Sequence, residues 1–380
     1  MPCLNEAETL GTCIRKAQNA LAELTISGEL VIADNGSSDG SQEIARRAGA
    51  RVVNVSERGY GNALRTGMSA ASGRWIIIGD ADDSYDFGSI APFVRKLEQG
   101  YDLVMGCRMP QGYGRIMKGA MPWKHRWIGN PLLTFLGRLF FKSPANDFHC
   151  GPRALSKEAF LKMNLSSSGM EFASEMVMKA AFEKLRVAEV PITLHKDGRS
   201  RASHLRTWQD GWRHLRYMLL HCPMWLFCVP ALVLFTGGAT FGVRLLIGPI
   251  QVGNVAFDTN TLLVCSMSIL LGVQLGFFGI FARAFATLNG MLPPSRRLQR
   301  VLSSLNLERG LIAGGLLGLA GLAMLVSAVL FWRRAHYGGI SYPESLRRVI
   351  PAVTLVTLGA QIAFSSFFFG LLNLKAESQK

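Results

Sequence analysis

Asp80 and Asp82, one residue apart and followed by Asp83, stand where the apolar run Trp75–Ile78 stops. A buried strand does not tolerate unpaired acids, so the three fall at its C-terminal edge. That edge is where open α/β sheets bind ligands. Two carboxylates at this spacing can hold a hard divalent cation, which in turn grips a diphosphate; a solvated turn is the plainer reading. Asp34 ends a second apolar run, Glu29–Ala33. Its carboxylate can accept from a nucleobase N–H, Gly36 permits a sharp turn, and Asp39 is expected to cap the next helix. Arg58-Gly59-Tyr60-Gly61 leads into a helix, where Gly61 allows close backbone approach and the N-terminus attracts anions. It falls short of a full dinucleotide fingerprint. Arg199, Arg201, Ser203 and His204 share one loop, and several donors on one loop suit a phosphate clamp.

These residues need a frame of strands and helices. Helical patterns cover 7–24, 39–48, 61–72 and 89–98; strand patterns cover 29–33, 51–55, 75–79 and 102–106. The alternation predicts an α/β fold with a mostly parallel sheet under helices. The chain opens at Met1-Pro2-Cys3-Leu4-Asn5-Glu6, which reads as the loop after a first strand. That strand is expected to be missing, with the native protein extending upstream by about one strand of ~5–6 residues.

The charge is unevenly spread. Residues 1–222 hold 22 of 26 acidic and 29 of 41 basic residues, so the break near Cys222-Pro223 separates two kinds of chain. Four apolar stretches follow, about 224–247, 261–282, 310–332 and 350–373, each near the ~20 residues that span a bilayer. The expected division is 1–204 for the α/β domain, 205–222 for an interfacial amphipathic helix, and 223–380 for the membrane domain. With no secretory leader ahead of it, the charged part is expected on the cytoplasmic face, in a bacterial inner membrane. Scattered cysteines without a CxxC pair suit reduced thiols. The net charge of +15 is assigned to an anionic membrane surface rather than to nucleic acid.

Residues 108–142 contain seven Lys/Arg and no acid, interleaved with Trp123, Trp127, Phe135, Phe140 and Phe141. Such a segment suits the lipid interface. Arg108, His125 and Arg126 are the cations placed to meet a lipid phosphate there. Trp208, Trp212 and Leu215 recur at helical spacing just before the first span. His149 reads either as a general base or as a core histidine.

Taken together, Pro2-x-x-Asn5-Glu6, Asp34, Asp80-Ala-Asp82, Gly106-x-Arg108, Asp147 with Gly151-x-Arg153, Glu189-Val-Pro and Arg199-x-x-x-Ser203 resemble glycosyltransferase family 2, in its polyprenyl-phosphate branch. The resemblance implies a GT-A fold, a nucleotide-sugar donor, and Mg²⁺ or Mn²⁺ on Asp80 and Asp82. It places Pro2, Asn5, Glu6, Asp34, Gly61, Asp80, Arg199 and Arg201 at the donor, and Arg108, His125, Arg126 and Ser203 at the acceptor phosphate. Asp82, Arg108 and Arg199 are the expected catalytic set. Asn35 and His204 depart from the acid and lysine common in the family. The expected reaction is inverting transfer of one sugar, from a UDP-glucose or GDP-mannose type donor, to polyprenyl phosphate for envelope glycan or glycoprotein assembly. The partners are the nucleotide-sugar, the polyprenyl phosphate and the membrane, with room for a homo-oligomer. The alternatives are a processive polysaccharide synthase, or a non-catalytic lipid-binding or flippase partner.

Overall fold

The computed structural model describes residues 1–380 apart from 201–206, 297, 299, 302–305 and 378–380. The chain divides into two compact units, Met1–Leu220 and His221–Lys380.

In the first unit, β1 (Pro2–Cys3), β2 (Val31–Asp34) and β3 (Arg51–Asn54) pair in parallel. A second sheet runs β4 (Trp75–Ile78), β7 (Arg153–Ser156), β5 (Leu103–Cys107), β8 (Val187–Pro191). Here β5 and β8 are parallel, and β7 lies antiparallel between β4 and β5. A short parallel pair, β6 (Arg115–Ile116) and β9 (Thr193–Leu194), lies apart. Two expectations change. The first strand is not wholly missing: Pro2 and Cys3 pair with Ala33 and Asp34, and the Met1 ammonium donates to the Val31 carbonyl at 2.8 Å. The sheet also holds an antiparallel member, because β7 enters it from the opposite end. An apolar cavity of about 440 Å³ is lined by both sheets, with Leu30, Val31 and Ala33 at β2 and Trp75–Ile78 of β4.

Helices α1 (Leu10–Glu23), α2 (Ser41–Arg47), α3 (Tyr60–Ala70) and α4 (Ala91–Glu98) follow the strands in turn. Helix α1 buries Leu10, Cys13, Ile14, Ala17 and Ala20, the three-to-four spacing of one helical face. Leu10 and Ile14 pack on Ile32 and Ala45, each such side chain contributing about 1.5–3 kcal/mol by burial. Phe93 and Leu97 of α4 pack on Val104, Ala154 and Val190. Helices α5 (Asn130–Phe141), α6 (Lys157–Met163), α7 (Phe172–Phe182) and α8 (Thr207–Leu220) complete the unit. Asp39 is not the cap of α2. Gly40 holds that position in the left-handed region, and Asp39 instead accepts from the Ala7 and Ser41 amides.

The second unit carries four helices long and apolar enough to cross a bilayer: Met224–Ile247, Thr259–Leu288, Leu307–Arg334 and Tyr342–Leu372. At ~1.5 Å per residue, each covers the ~30 Å hydrocarbon core. The third and fourth pack backbone to backbone. A Cβ added at Gly359 would meet the Gly314 carbonyl at 2.5 Å, and one at Gly314 would meet the Gly359 carbonyl at 2.6 Å. Close approach of this kind drives helix association in lipid, where burial of apolar surface cannot. Gly315 faces open space. Gly359→Val should therefore cost at least the ~1–3 kcal/mol of an overpacked contact, read as a lower unfolding midpoint in detergent. Gly315→Val should leave that midpoint unchanged, and equal effects would contradict the packing account.

Candidate active site

The site forms where β1, β2 and β4 end. The loop after β1 is stitched to the loop after β2: the Asn5 amide donates to Ser37 Oγ at 2.8 Å, the Ser38 amide to Asn5 Oδ1 at 2.8 Å, and the Glu6 amide to Ser41 Oγ at 2.9 Å. Asp34 is 2% exposed. Its Oδ2 accepts from the Gly36 and Ser37 amides and from Gln42 Nε2, while its Oδ1 is buried with no hydrogen-bond partner. A buried acceptor left unmatched is costly unless a ligand fills it.

After β4, three neighbouring acids meet three fates. Asp83 pairs with Lys16 at 2.8 Å and is taken out of the site. Asp82 accepts from Ser84 Oγ at 2.6 Å through Oδ1 and from Arg199 at 2.6 Å through Oδ2. Asp80 Oδ1 accepts from the Tyr60 hydroxyl at 2.9 Å, and no hydrogen bond to Oδ2 exists among the described residues. A Cβ at Gly151 would lie 2.8 Å from that Oδ2, so only glycine lets the carboxylate sit there. Burial, and then the charge of Asp82, raise the Asp80 carboxyl to about 6. Arg199 also meets Glu6 at 3.1 Å and Asp197 at 3.2 Å. One guanidinium thus serves Glu6, Asp82 and Asp197, and Asp80 adds a fourth carboxylate. Among the described residues no three His, Cys, Asp or Glu side chains converge as a ligand cluster. Asp80 with Asp82 nevertheless fits a cation whose other ligands come from a diphosphate and water: the free Oδ2 and the raised pKa both mark uncompensated negative charge.

Two cavities meet at this point. One, of about 750 Å³, is lined by Pro2, Asn5, Glu6, Asn35, Gly36 and Arg58, among others. The other, of about 760 Å³, takes in Arg108, Met121, Pro122, His125, Leu133 and His149. Tyr60, Asp80, Asp82, Met170, Arg199 and Asp210 line both. Arg108 forms a bidentate pair with Asp147 at 2.7 and 2.8 Å, so its charge is already matched. Burial and then the charge of Arg108 lower the His125 imidazole. Arg126 lies against the Trp127 ring, 5.3 Å from its centroid, and is not part of the cavity wall. Nearby, Trp123, Trp127, Ile128, Leu132, Phe135 and Leu139 form an exposed apolar stripe.

One expected contact is differently placed. The Gly61 amide donates to the Ser168 carbonyl at 2.9 Å, and a Cβ there would meet the Ser167 carbonyl at 2.3 Å. The glycine admits a neighbouring turn, and its N–H is not free for a phosphate. Arg201, Ser203 and His204 lie outside the described residues. Sequence reasoning missed Tyr60 and the polar face of α8, where Gln209, Asp210 and Arg213 line the first cavity. The spacing of 210, 213 and 214 along one helix was the available signal.

Comparison with known proteins agrees with this frame. A family model described as glycosyl transferase family 2 matches residues 1–163, and one described as the glycosyltransferase family 2 C-terminal transmembrane region matches residues 280–373. The low-salt glycan biosynthesis hexosyltransferase Agl6 of Haloferax volcanii is 35% identical over 378 residues, 98% of this chain and 88% of that protein. The chain belongs to glycosyltransferase family 2. It is a membrane-integral glycosyltransferase with an α/β unit and four apolar helices long enough to cross a bilayer. A dolichyl-phosphate hexose transferase of the same organism is 28% identical over 50% of this chain and 79% of its own. A crystal structure of glucosyl-3-phosphoglycerate synthase from Mycobacterium tuberculosis superposes with a TM-score of 0.45 at 23% identity, over 58% of this chain and 78% of that one, too slight a likeness to argue from.

The Asp80 carboxyl generates a test. Its folded pKa lies above the unfolded 3.8, so the folded state binds more protons between pH 3.8 and about 6. Stability is lost as pH rises through that window. Asp80→Asn removes the repulsion and should raise donor-free stability at pH 7 by about 1–3 kcal/mol, measured by denaturant unfolding. At pH 3.5 the gain should disappear; a gain that persists there would contradict the assignment.

Proposed function

We propose that this protein transfers one hexose from a nucleotide-sugar to the phosphate of a polyprenyl lipid, with inversion at the sugar. The observation that carries this reading is the pair of cavities that share Asp80, Asp82 and Arg199 as their common wall. The first suits a nucleoside diphosphate: Arg58 and Arg199 offer cationic donors, and Asn35, Gly36 and Ser38 offer polar groups to a base and ribose. The second combines His125 with Met121, Pro122 and Leu133, a lining that suits a phosphate attached to an apolar chain. The names of the two Haloferax relatives, a hexosyltransferase and a dolichyl-phosphate hexose transferase, support a hexose and a lipid phosphate.

The acceptor phosphate is anionic at neutral pH, so its oxygen attacks the anomeric carbon without a strong general base. A C–O bond forms to that oxygen as the bond to the leaving nucleoside diphosphate breaks on the opposite face. Catalysis is then positioning and charge neutralisation. When bound on Asp80 and Asp82, Mg²⁺ or Mn²⁺ would neutralise charge on the leaving diphosphate. Tyr60 holds Asp80 by its hydroxyl. Arg199 exchanges its carboxylates for diphosphate oxygens as the donor binds. Arg108, matched by Asp147, frames the acceptor cavity, and Arg126 beside Trp127 stands at the lip where a lipid phosphate arrives. The donor is made in the cytoplasm, so the catalytic unit faces that side of the membrane.

Membranes containing the protein, given labelled UDP-glucose or GDP-mannose and polyprenyl phosphate, should yield a lipid with one labelled hexose, labile to mild acid. Label in a polymer, or no lipid product with either donor, would overturn the reading. Asp82→Asn should lower turnover about a hundredfold or more. Arg126→Ala should raise the lipid-acceptor KM about tenfold, the scale of one charge-assisted hydrogen bond, with donor KM unchanged. If that variant matches wild type in neutral detergent, Arg126 is a membrane contact only.

A further inference from the structure

Away from the carboxylates, three elements meet at one hydroxyl. Ser174 of α7 is 1% exposed. Its Oγ lies 3.1 Å from His149 Nε2 and 2.8 Å from His214 Nδ1. The two imidazole rings pack edge to face, with centroids 4.5 Å apart. His149 belongs to the loop between α5 and β7, and His214 to α8. The loop is itself rigid: the buried Arg153 guanidinium donates to the carbonyls of Phe148, Cys150 and Ala173 at 2.7–3.0 Å, and Asp147 is locked to Arg108.

Helix α8 presents opposite chemistries on its two sides. Asp210, His214 and Met218 are buried at four-residue spacing, while Trp208 is 87% and Trp212 57% exposed. Residues of this helix reach both cavities, the buried Asp210 and His214 among them. Gln209, Asp210 and Arg213 line the first, and Asp210, Gly211 and His214 line the second. Tyr217 of the same helix also hydrogen-bonds Ser167 and Glu175; the ring and hydroxyl cluster is the tie at the His214 turn.

We infer that Ser174 is a positioning residue that seats α8 as a wall of both cavities, by bridging His149 and His214. This rests on the reading of the two cavities as donor and acceptor sites. A serine hydroxyl carries one hydrogen. It donates to one imidazole nitrogen and accepts from an N–H of the other, so the bridge forms between two neutral rings of complementary tautomer. Burial, and then the charges of His214, Arg153 and Arg108, keep His149 neutral; burial, and then Arg153, lower His214 to about 4. The rings are therefore in the state the bridge needs at neutral pH. The bridge is also selective: an alanine keeps the helix but loses the hydroxyl, and a threonine keeps both.

The test uses the full-length protein in detergent with hydrogen exchange and kinetics side by side. Ser174→Ala should raise exchange in 207–220 at least tenfold while leaving α1–α4 at wild-type rates. It should raise the donor and acceptor KM about tenfold each, with kcat within threefold. A loss of folded protein alone would lower kcat and leave both KM values in place. Ser174→Thr should restore exchange and KM to near wild type. Wild-type exchange in 207–220 of Ser174→Ala would overturn the inference, as would no recovery in Ser174→Thr. Exchange does not depend on turnover, so if no lipid product forms with any donor, the cavity reading fails and the seating of α8 is still decided.

Discussion

Excess negative charge at the ends of β1 and β4 is the constraint on which the site depends. Glu6, Asp80, Asp82 and Asp197 gather around a single guanidinium, that of Arg199. Like charges this close are costly in a partly desolvated place. The protein contains the cost locally, with Lys16 on Asp83 and Tyr60 on Asp80. What is left unmatched faces the cavities. A charge imbalance of this kind is poor for folding and well suited to a ligand that arrives with a cation.

The rest of the first unit can be understood as support for that cluster. Thr9 of the α1 entrance donates to the Ala81 carbonyl at 2.7 Å, fixing the turn between the two aspartates. Gly151 leaves room for Asp80 Oδ2. The same loop carries Asp147 to Arg108 and His149 to Ser174. The five-residue stretch Asp147–Gly151 therefore touches Asp80, Arg108 and α8. Displacing it would disturb all three together.

The strand ends were legible from residue types, because acids after apolar runs have few places to go. Asp34, Asp80 and Asp82 stand where that reasoning put them, at the ends of β2 and β4. The antiparallel β7 was not legible, since Arg153-Ala-Leu-Ser156 is short and opens with a charge. That charge is buried only because three carbonyls surround it, a tertiary arrangement no local pattern carries. The capture of the Gly61 amide by Ser168 and the pairing of Asp83 with Lys16 are likewise long-range. On α8 the tryptophan spacing drew attention to the outward face. The polar face that lines the cavities has the same period.

The most direct test of this charge account is the proton count on donor binding. The donor of choice is whichever nucleotide-sugar turns over, since its diphosphate diester does not titrate near pH 6. Calorimetry with Mg²⁺ or Mn²⁺ present, in buffers of different ionisation enthalpy, gives the protons released. With the Asp80 carboxyl near 6 in the free protein, binding at pH 6 should release about half a proton. The release should fall towards zero at pH 8 and be absent in Asp80→Asn. Binding heats that do not depend on the buffer at pH 6 would contradict the claim that donor and cation neutralise this cluster.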